Sequence, residues 1–294
     1  MPDPLDTPQD FQFEQMVWNQ SRSYLIWIYK KQILPRNLNL HAYMPNYSAF
    51  LLLSGSLEII NSAGSRHATN DQWVFLRPGN RQQIFSENAE VLSINFHLTL
   101  PGNLQPFNWP TAAIFDKSDF PELERYADSL EQTVDHYFPD ACTTLVSCPG
   151  TFSTHLHIQE KFFAWVHHAM RCLEKTGYTQ SHPTTIDPRV FKALKILEQS
   201  PSHLILTDKD IAQKVHLSAS QLDRLFIKQL GVTPHQYQER QRLEYATERI
   251  LYSQQPIKEI AFELGFSSLS HFSSWLRNKI NLSPRQLRSQ NHPK

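Results

Sequence analysis

The chain has 294 residues, more than the roughly 100–150 residues that one domain usually holds, so at least two domains are expected. Its composition is 40% hydrophobic and 19% charged, which excludes a disordered chain and predicts a soluble, globular protein. The three cysteines are odd in number and lack a CxxC pair, which argues against a disulfide framework or a zinc site. Because the sequence shows neither a membrane-length apolar run nor a secretion signal, we expect a cytoplasmic protein without a membrane partner.

The formal charge of zero argues against a nucleic-acid partner only if the charges are evenly spread. They are segregated along the chain. Residues 187–294 contain 16 lysines and arginines against 10 aspartates and glutamates, a formal charge of +6, and the first 186 residues therefore carry −6. This asymmetry is expected when one domain meets a polyanion and the other does not.

Short strand-like runs fill the region from Tyr24 to Leu100. The sequences YLIWIY, FLLLSGSLEII, DQWVFLRPGN and EVLSINFHL are β-branched or aromatic and are separated by Gly, Pro and Asn. One face of the last run is apolar, and the other carries Ser93, Asn95 and His97. Either face is compatible with a barrel interior, depending on whether the barrel encloses a ligand. We predict a β domain over residues 1–118.

Two amphipathic helices are expected after the strands. Apolar residues recur at spacings of three and four over Asp119–Tyr137 and again over Ile158–Lys175. Their apolar stripes are consistent with packing on the barrel or with a homodimer interface. We assign residues 119–176 to this helical pair, and 177–186, a polar stretch without periodicity, to an interdomain linker.

The region from residue 187 onward has helical patterns only, divided by Ser, Thr and Asp caps and by Pro at helix starts. It predicts a seven-helix domain over residues 187–294. The expected helices are Pro188 to Gln199, Asp208 to Val215, Ser218 to Leu230, Pro234 to Ser253, Ile257 to Leu264, Ser268 to Ile280, and Pro284 to Arg288.

An internal repeat lies within this helical region. DIAQKVHLSASQLDRLFIKQLGVTPHQY aligns, with a one-residue insertion, on EIAFELGFSSLSHFSSWLRNKINLSPRQL. Each copy predicts a helix-turn-helix unit, with a small residue, Ala212 or Ala261, where the second helix approaches the first. A tight turn is expected at His216 or Gly265, followed by a second helix that begins at a serine.

The second helix of each unit buries one apolar stripe and exposes short hydrogen-bonding side chains followed by cations, a pattern suited to base edges and phosphates in a major groove. The alternative interpretation is an ordinary solvated helix face. The candidate base-contacting residues are Ser218, Ser220, Gln221, Arg224, Ser267, Ser268, Ser270, His271 and Ser274. The candidate phosphate-contacting residues are Lys228, Arg277 and Lys279.

The stretches LSASQLDRLFIKQLGVTPHQYQERQRLEYATERIL and IKEIAFELGFSSLSHFSSWLRNKINLSPRQLR resemble the DNA-binding domain of the AraC/XylS transcriptional regulators. With the preceding helix, the resemblance covers Asp187 to Arg288. It implies two helix-turn-helix units joined by the long helix from Pro234, with recognition helices that enter successive major-groove segments ~34 Å apart on one face of the DNA.

Three positions of the second unit depart from the usual pattern of that family. The family usually has an arginine where Ser274 stands, the position that Arg224 occupies in the first unit, and a polar residue where Leu269 stands. Asn281 replaces a glycine, a mild change because asparagine tolerates the left-handed conformation. Since a bidentate arginine contact to guanine contributes about 1–3 kcal/mol of discrimination, we expect the first recognition helix to carry most of the sequence specificity.

The runs LLLSGSLEII and NDQWVFLRPGN are similar to the cupin-type effector domain often attached to this family. A metal-binding cupin would show several histidines and a glutamate on neighbouring strands, whereas Arg81, Gln82 and Gln83 follow the Arg77-Pro78-Gly79 turn, so we expect no metal. Aromatic, Arg, Gln and Asn side chains on the strands suit a small polar ligand such as a sugar, although they could equally cover a small barrel. The candidate ligand-binding residues are Arg22, Tyr24, Trp73, Arg77, Gln83, Asn95 and His97.

The sequence therefore favours a cytoplasmic, sequence-specific DNA-binding transcriptional regulator of mixed α and β architecture, with a cupin-like barrel, two following helices and a C-terminal all-α domain. We expect double-stranded DNA, a homodimer and a small sugar-like effector as partners, RNA polymerase if it is an activator, and no catalytic residue or cofactor. Two alternatives stay open. One is a constitutive regulator whose barrel serves only for dimerisation, and the other is an enzyme with a DNA-binding appendage.

Overall fold

A computed structural model describes residues 21–100, 106, 109, 111–139, 144–145, 148–178, 187–201 and 204–291. The strands are β1 Arg22–Gln32, β2 Asn39–Met44, β3 Tyr47–Ser54, β4 Ser56–Asn61, β5 Gly64–Thr69, β6 Gln72–Leu76, β7 Gly79–Phe85, β8 Glu90–Thr99 and β9 Ala113–Asp116. The helices are α1 Pro121–Tyr137, α2 Phe152–Lys175, α3 Pro188–Gln199, α4 Asp208–Lys214, α5 Ala219–Leu230, α6 Pro234–Tyr252, α7 Ile257–Glu263, α8 Leu269–Ile280 and α9 Pro284–Asn291. No helix in these ranges combines the length and apolar character needed to cross a membrane.

The strands form two antiparallel sheets that face each other as a flattened barrel. The five-stranded sheet has the order β1-β8-β3-β6-β9, and the four-stranded sheet has the order β2-β7-β4-β5. β1 pairs with β8 from Arg22 opposite Thr99 to Gln32 opposite Glu90, with a bulge near Ile26. This pairing places the ends of β1 and β8 together at one edge of the barrel, where they meet the helical domain.

The two faces of β8 serve different purposes. Leu92, Ile94 and Phe96 pack under α1 and α2 in one apolar core, where each fully buried side chain contributes about 1.5–3 kcal/mol. Ser93 and Asn95, also buried, point between the two sheets. The polar face therefore lines the barrel interior, which resolves the alternative that the sequence left open. The helical pair packs on the outer face of the barrel.

Some local expectations for the helical pair and the linker were wrong or incomplete. α2 begins at Phe152 rather than Ile158, with Thr151 accepting a hydrogen bond from the Thr154 N–H as its N-cap. The apolar spacing did not indicate the first turns of α2, because Phe152 and Leu156 are exposed rather than buried. α1 begins two residues later than Asp119 because residues 117–119 form a short 3-10 turn. Of the expected linker, residues 179–186 lie outside the described part of the chain.

The helical domain contains two small cores, one for each helix-turn-helix unit. Val190, Leu194 and Phe226 belong to the first core, which α3, α4 and α5 enclose. The second core, built by α7, α8 and α9, includes Ile260 and Phe272. The long helix α6 contributes to both cores. The described helix ends agree with the predicted ones to within three residues.

Candidate functional site

The first helix-turn-helix unit consists of α4 and α5. His216 adopts a φ of 56° at the predicted turn, and the next residue, Leu217, donates its N–H to the Ala212 carbonyl at 2.9 Å. Ala212 is buried between the helices, as is Leu222 on α5. The turn therefore fixes α5 across α4, and the remaining face of α5 is left to solvent.

The second unit repeats this geometry with α7 and α8. Gly265 adopts a φ of 77°, and Phe266 donates its N–H to the Ala261 carbonyl at 3.0 Å. Asn281 ends α8 in the left-handed conformation with a φ of 61°, as Gly231 ends α5. The predicted turns and the expected tolerance of asparagine at this helix end are therefore confirmed.

The predicted DNA-contacting side chains share one property, which is that all of them are exposed. They lie on α5 and α8 or at the residues just before these helices. On α5, Arg224 and Lys228 have no ion-pair partner within the described residues. The first recognition helix thus presents two cations that DNA could neutralise.

Several of the predicted base contacts also cap helices. The Ser218 hydroxyl accepts from the Gln221 N–H at 3.2 Å, and the Gln221 side-chain oxygen accepts from the Ser218 N–H at 2.9 Å. At the start of α8, the Ser268 hydroxyl accepts from the His271 N–H at 3.2 Å. These serines satisfy backbone groups that would otherwise lack partners, so a role in fixing the helix start accompanies any contact with a base.

Lys279 on the second recognition helix differs from the cations of the first. Its ammonium lies 2.8 Å from Glu239 Oε2 on α6, and the Trp275 indole N–H donates to the same oxygen at 3.1 Å. Burial alone would raise the pKa of Glu239, but the hydrogen bonds from Lys279 and Trp275 hold it below its usual value. This side chain was predicted as a phosphate contact, and the structure gives it an internal partner.

Polar side chains of the barrel contact α6. The Tyr24 hydroxyl donates to Glu248 at 2.8 Å, and His97 Nε2 lies 3.2 Å from Glu244 Oε1. Burial, aided by the charge of Arg22, lowers the pKa of His97 to about 4, so its imidazole is neutral at pH 7. A further bond joins Asn46 Nδ2 of the barrel to the Tyr252 hydroxyl at 2.9 Å. The helix that joins the two DNA-binding units is therefore held by the barrel.

The barrel interior contains a second cluster of candidate residues. Arg81 is 4% exposed and donates to the Gln83 side-chain oxygen, the Arg77 carbonyl and the Ser48 hydroxyl at 2.8–2.9 Å. Asn95 Nδ2 donates to the same hydroxyl at 2.9 Å. Burial lowers the pKa of Arg81 to about 9, and no carboxylate among the described residues forms an ion pair with this guanidinium.

The sequence-based prediction did not include Arg81 or Ser48 among the ligand-binding residues. Strand alternation would have placed Arg81 on the same face as Gln83, two residues further along β7. Trp73, in contrast, does not join the other candidates. Its ring packs 6.5 Å from that of Trp165, in the apolar core between the sheet and the helical pair.

A cleft of about 750 Å³ lies between the edge of the barrel and the helical domain, lined by Arg22 and Thr99 on one side and by α3 and α6 on the other. Glu198, Glu244 and Glu248 line its helical wall. The described residues contain no cluster of three or more His, Cys, Asp or Glu side chains that could hold a metal ion. The chemistry gathered here is that of binding by hydrogen bonds and charges.

The C-terminal helices are similar to those of known DNA-binding proteins. Residues 211–290 match the family model described as a helix-turn-helix domain. The HTH-type transcriptional regulator ArgR of Pseudomonas aeruginosa is 36% identical over 103 residues, which are 35% of this chain and 31% of that protein. The HTH-type transcriptional activator RhaS of Escherichia coli O139:H28 is 38% identical over 78 residues, 26% of this chain and 28% of that protein. The chain thus matches less than a third of the length of these relatives.

Among the solved structures, some resemble nearly the whole chain. ToxT from Vibrio cholerae O395 matches 94% of this chain and 100% of its own length, with a TM-score of 0.53 and 14% sequence identity. At this identity the likeness concerns the fold alone. The arrangement of a β domain followed by a helical domain with two helix-turn-helix units is therefore shared with a known structure.

Proposed function

We propose that this protein, whose C-terminal region is an AraC-type helix-turn-helix domain, is a sequence-specific DNA-binding transcriptional regulator that responds to a small polar molecule. The observation that carries the proposal is the presence of two helix-turn-helix units, each with an exposed recognition helix, in the part of the chain with a formal charge of +6. Because such a regulator binds DNA, we expect it in the cytoplasm. It would perform no catalysis of its own.

The contacts between the barrel and α6 support regulation by the N-terminal domain. Glu248 and Glu244 lie on the helix that joins the two DNA-binding units, and both contact barrel side chains. His97 and Asn95 lie on the inner face of the same strand, two residues apart. A ligand that rearranges the interior around Asn95 would therefore act directly on the strand that contacts α6. Tyr24→Phe, which removes the hydrogen bond to Glu248, should weaken any effect of the ligand on DNA affinity.

The polar interior supports a ligand rich in hydroxyl groups, such as a sugar. It offers a guanidinium, two carboxamides and a hydroxyl, and the Asn95 side-chain oxygen has no hydrogen-bond partner within the described residues. A buried acceptor without a partner costs about 1–3 kcal/mol, which a ligand hydroxyl would recover. A thermal-shift screen of the full chain against sugars and small metabolites tests this, with Asn95→Ala as the binding-defective variant.

The thermal-shift screen also distinguishes the proposed ligand-responsive regulator from a constitutive one. If none of the molecules raises the melting temperature, the barrel would serve only for dimerisation or contact with another protein. The relatives found for the C-terminal region are transcriptional regulators, which favours either form of regulator over an enzyme with a DNA-binding appendage. If the protein activates transcription, as the name of the relative RhaS says of that protein, RNA polymerase is a further partner.

A homodimer is part of the proposal, because two chains would double the DNA contacts. The exposed face of α2 carries Phe152, Leu156 and Phe163, which are 75%, 51% and 50% exposed. Their spacing places them along one side of the helix, away from the face that packs on the barrel. Leu156→Glu combined with Phe163→Glu should convert the dimer to a monomer in sedimentation analysis, whereas Glu160→Ala should not.

A gel-shift titration of the full chain at increasing salt tests DNA binding itself. Each phosphate contact made by a lysine or arginine contributes about −0.9 to the slope of log K against log salt on double-stranded DNA. We expect a clear negative slope and a preference for the selected sequence over random DNA. Binding that ignores salt would contradict the proposed contacts.

A further inference from the structure

Two adjacent side chains on α6 bind opposite helix-turn-helix units. Gln238 is 7% exposed and forms a two-way link with the residue before the cap of α4, because its oxygen accepts from the Leu206 N–H at 3.0 Å and its Nε2 donates to the Leu206 carbonyl at 2.8 Å. Glu239 binds Trp275 and Lys279 of α8 through the same oxygen. One position on α6 thus faces the first unit and the next position faces the second.

The link to the second unit is reinforced by Arg242, one turn further along α6. Its guanidinium donates to the Leu264 carbonyl at 2.8 Å and lies 4.7 Å from the centre of the Phe266 ring. It also approaches Glu239 Oε1 at 3.3 Å. Glu239 therefore receives hydrogen bonds from three donors in a half-buried site, where charged hydrogen bonds are stronger than at the surface.

The two recognition helices are held differently at equivalent positions. Lys279 of α8 corresponds in the repeat to Gln229 of α5. Gln229 accepts from the Asp187 backbone N–H at the start of α3, whereas Lys279 is bound to α6. The orientation of α8 relative to α6 therefore depends on a charged contact that the first unit lacks at this position.

We propose that Glu239 is the positioning residue that fixes the second recognition helix on α6, which Gln238 holds to the first unit, and so sets the spacing of the two DNA segments that the protein recognises. This inference rests on the proposed function. Inserting one base pair between the segments moves the second by about 3.4 Å and rotates it by about 35°. Hydrogen bonds of 2.8–3.1 Å between α6 and α8 cannot follow such a displacement without breaking.

The test uses the full chain and DNA duplexes selected by the wild-type protein, with zero, one or two base pairs inserted between the two segments. The wild type should lose about tenfold or more in affinity for one inserted base pair. Glu239→Gln keeps the shape of the side chain but removes its charge. It should bind the original duplex. Its loss of affinity for the duplex with one inserted base pair should be at least about threefold smaller than the loss shown by the wild type. Release of Lys279 should also steepen the salt slope by up to about 1.

Two control variants separate this effect from a general change of charge or stability. Glu259→Gln removes an exposed carboxylate from α7, outside the contact between α6 and α8, and should behave like the wild type. Lys279→Arg keeps the ion pair and should retain the wild-type spacing preference. If circular dichroism shows that Glu239→Gln is unfolded, Trp275→Phe combined with Lys279→Gln removes both donors to Glu239 Oε2 and replaces it in the test.

The outcomes distinguish the inference from the proposed function. If the wild type selects no DNA sequence, the proposed function fails. If the wild type selects a sequence but Glu239→Gln and the double variant show the same spacing penalty as the wild type, the positioning role of Glu239 is overturned.

Discussion

The two helix-turn-helix units share one scaffold but use their second helices differently. Both have a left-handed turn, a serine cap and an apolar stripe at matching positions. The first exposes Arg224 where the second has Ser274, while the second places Trp275 and Lys279 against α6. The duplicated fold thus differs in its second helices: within the described residues Arg224 of the first has no ion-pair partner, and Lys279 anchors the second to α6.

The largest expected difference between the units concerns sequence discrimination. Arg224→Ala should remove about 1–3 kcal/mol of discrimination, or roughly fivefold to 150-fold in the ratio of specific to random DNA affinity. Ser274→Ala should change that ratio much less, because a hydroxyl makes at most one weaker contact. Competition gel shifts at fixed salt measure both ratios, and equal losses would remove the proposed asymmetry.

A smaller effect is expected from a cation of the second recognition helix that faces solvent. Arg277→Ala should weaken binding to all sequences by a similar factor, of about threefold to tenfold, and reduce the salt slope by about 1. The ratio of specific to random affinity should stay unchanged. Lys258→Ala, on α7 and outside the recognition helices, is the matched control. A change in sequence preference for Arg277→Ala would show that this residue contacts bases.

The turns of the two units should respond in opposite directions to substitution. Gly265→Ala places a Cβ at a φ of 77° and should destabilise the folded protein by about 1 kcal/mol or more. His216→Gly relieves the same kind of strain at a φ of 56° and should be neutral or stabilising by up to about 1 kcal/mol. Urea unfolding of the two variants measures these changes. Destabilisation by His216→Gly beyond that of Gly265→Ala would contradict the shared turn geometry.

The smallest expected effect is the pH dependence of the stability that Glu239 contributes by binding the second helix-turn-helix unit. Hydrogen bonds from Lys279 and Trp275, opposed by burial, hold the pKa of Glu239 below its ordinary value of 4.5. Its contribution to stability is therefore present above that ordinary pKa and is lost as the pH falls through the lower folded-state pKa. Between about pH 6 and about pH 3.5, the melting temperature of Glu239→Gln should fall less than that of the wild type. Identical profiles would mean that this carboxylate does not stabilise the fold.

The repeat was the most reliable feature of the sequence. It predicted both turns, both recognition helices and the exposure of their candidate contacts, because capping residues and apolar spacing are local signals. Residues 24–100 were correctly expected to be β, but individual strands were harder to place. β5, with the sequence GSRHAT, is largely exposed and has no apolar alternation. Only pairing with β4 reveals it as a strand.

The sequence did not predict the contacts between distant parts of the chain. Tyr24 and Glu248 are separated by 224 positions, and Trp275 and Glu239 by 36. No spacing rule in a single sequence relates such residues, because their proximity results from the packing of whole elements. The same holds for Arg81, which the sequence presents as an ordinary charged residue and the fold buries completely against Gln83 and Ser48.

The unequal roles of the two recognition helices are tested most directly by a selection experiment. In it, the full wild-type chain selects the duplexes that it binds from a random DNA library. We expect two preferred segments about one helical turn apart, one strongly constrained in sequence and the other only weakly. In Arg224→Ala the strongly constrained segment should lose its preference, and in Ser274→Ala both segments should be retained. Two equally constrained segments, or a constrained segment that persists in Arg224→Ala, would contradict the account.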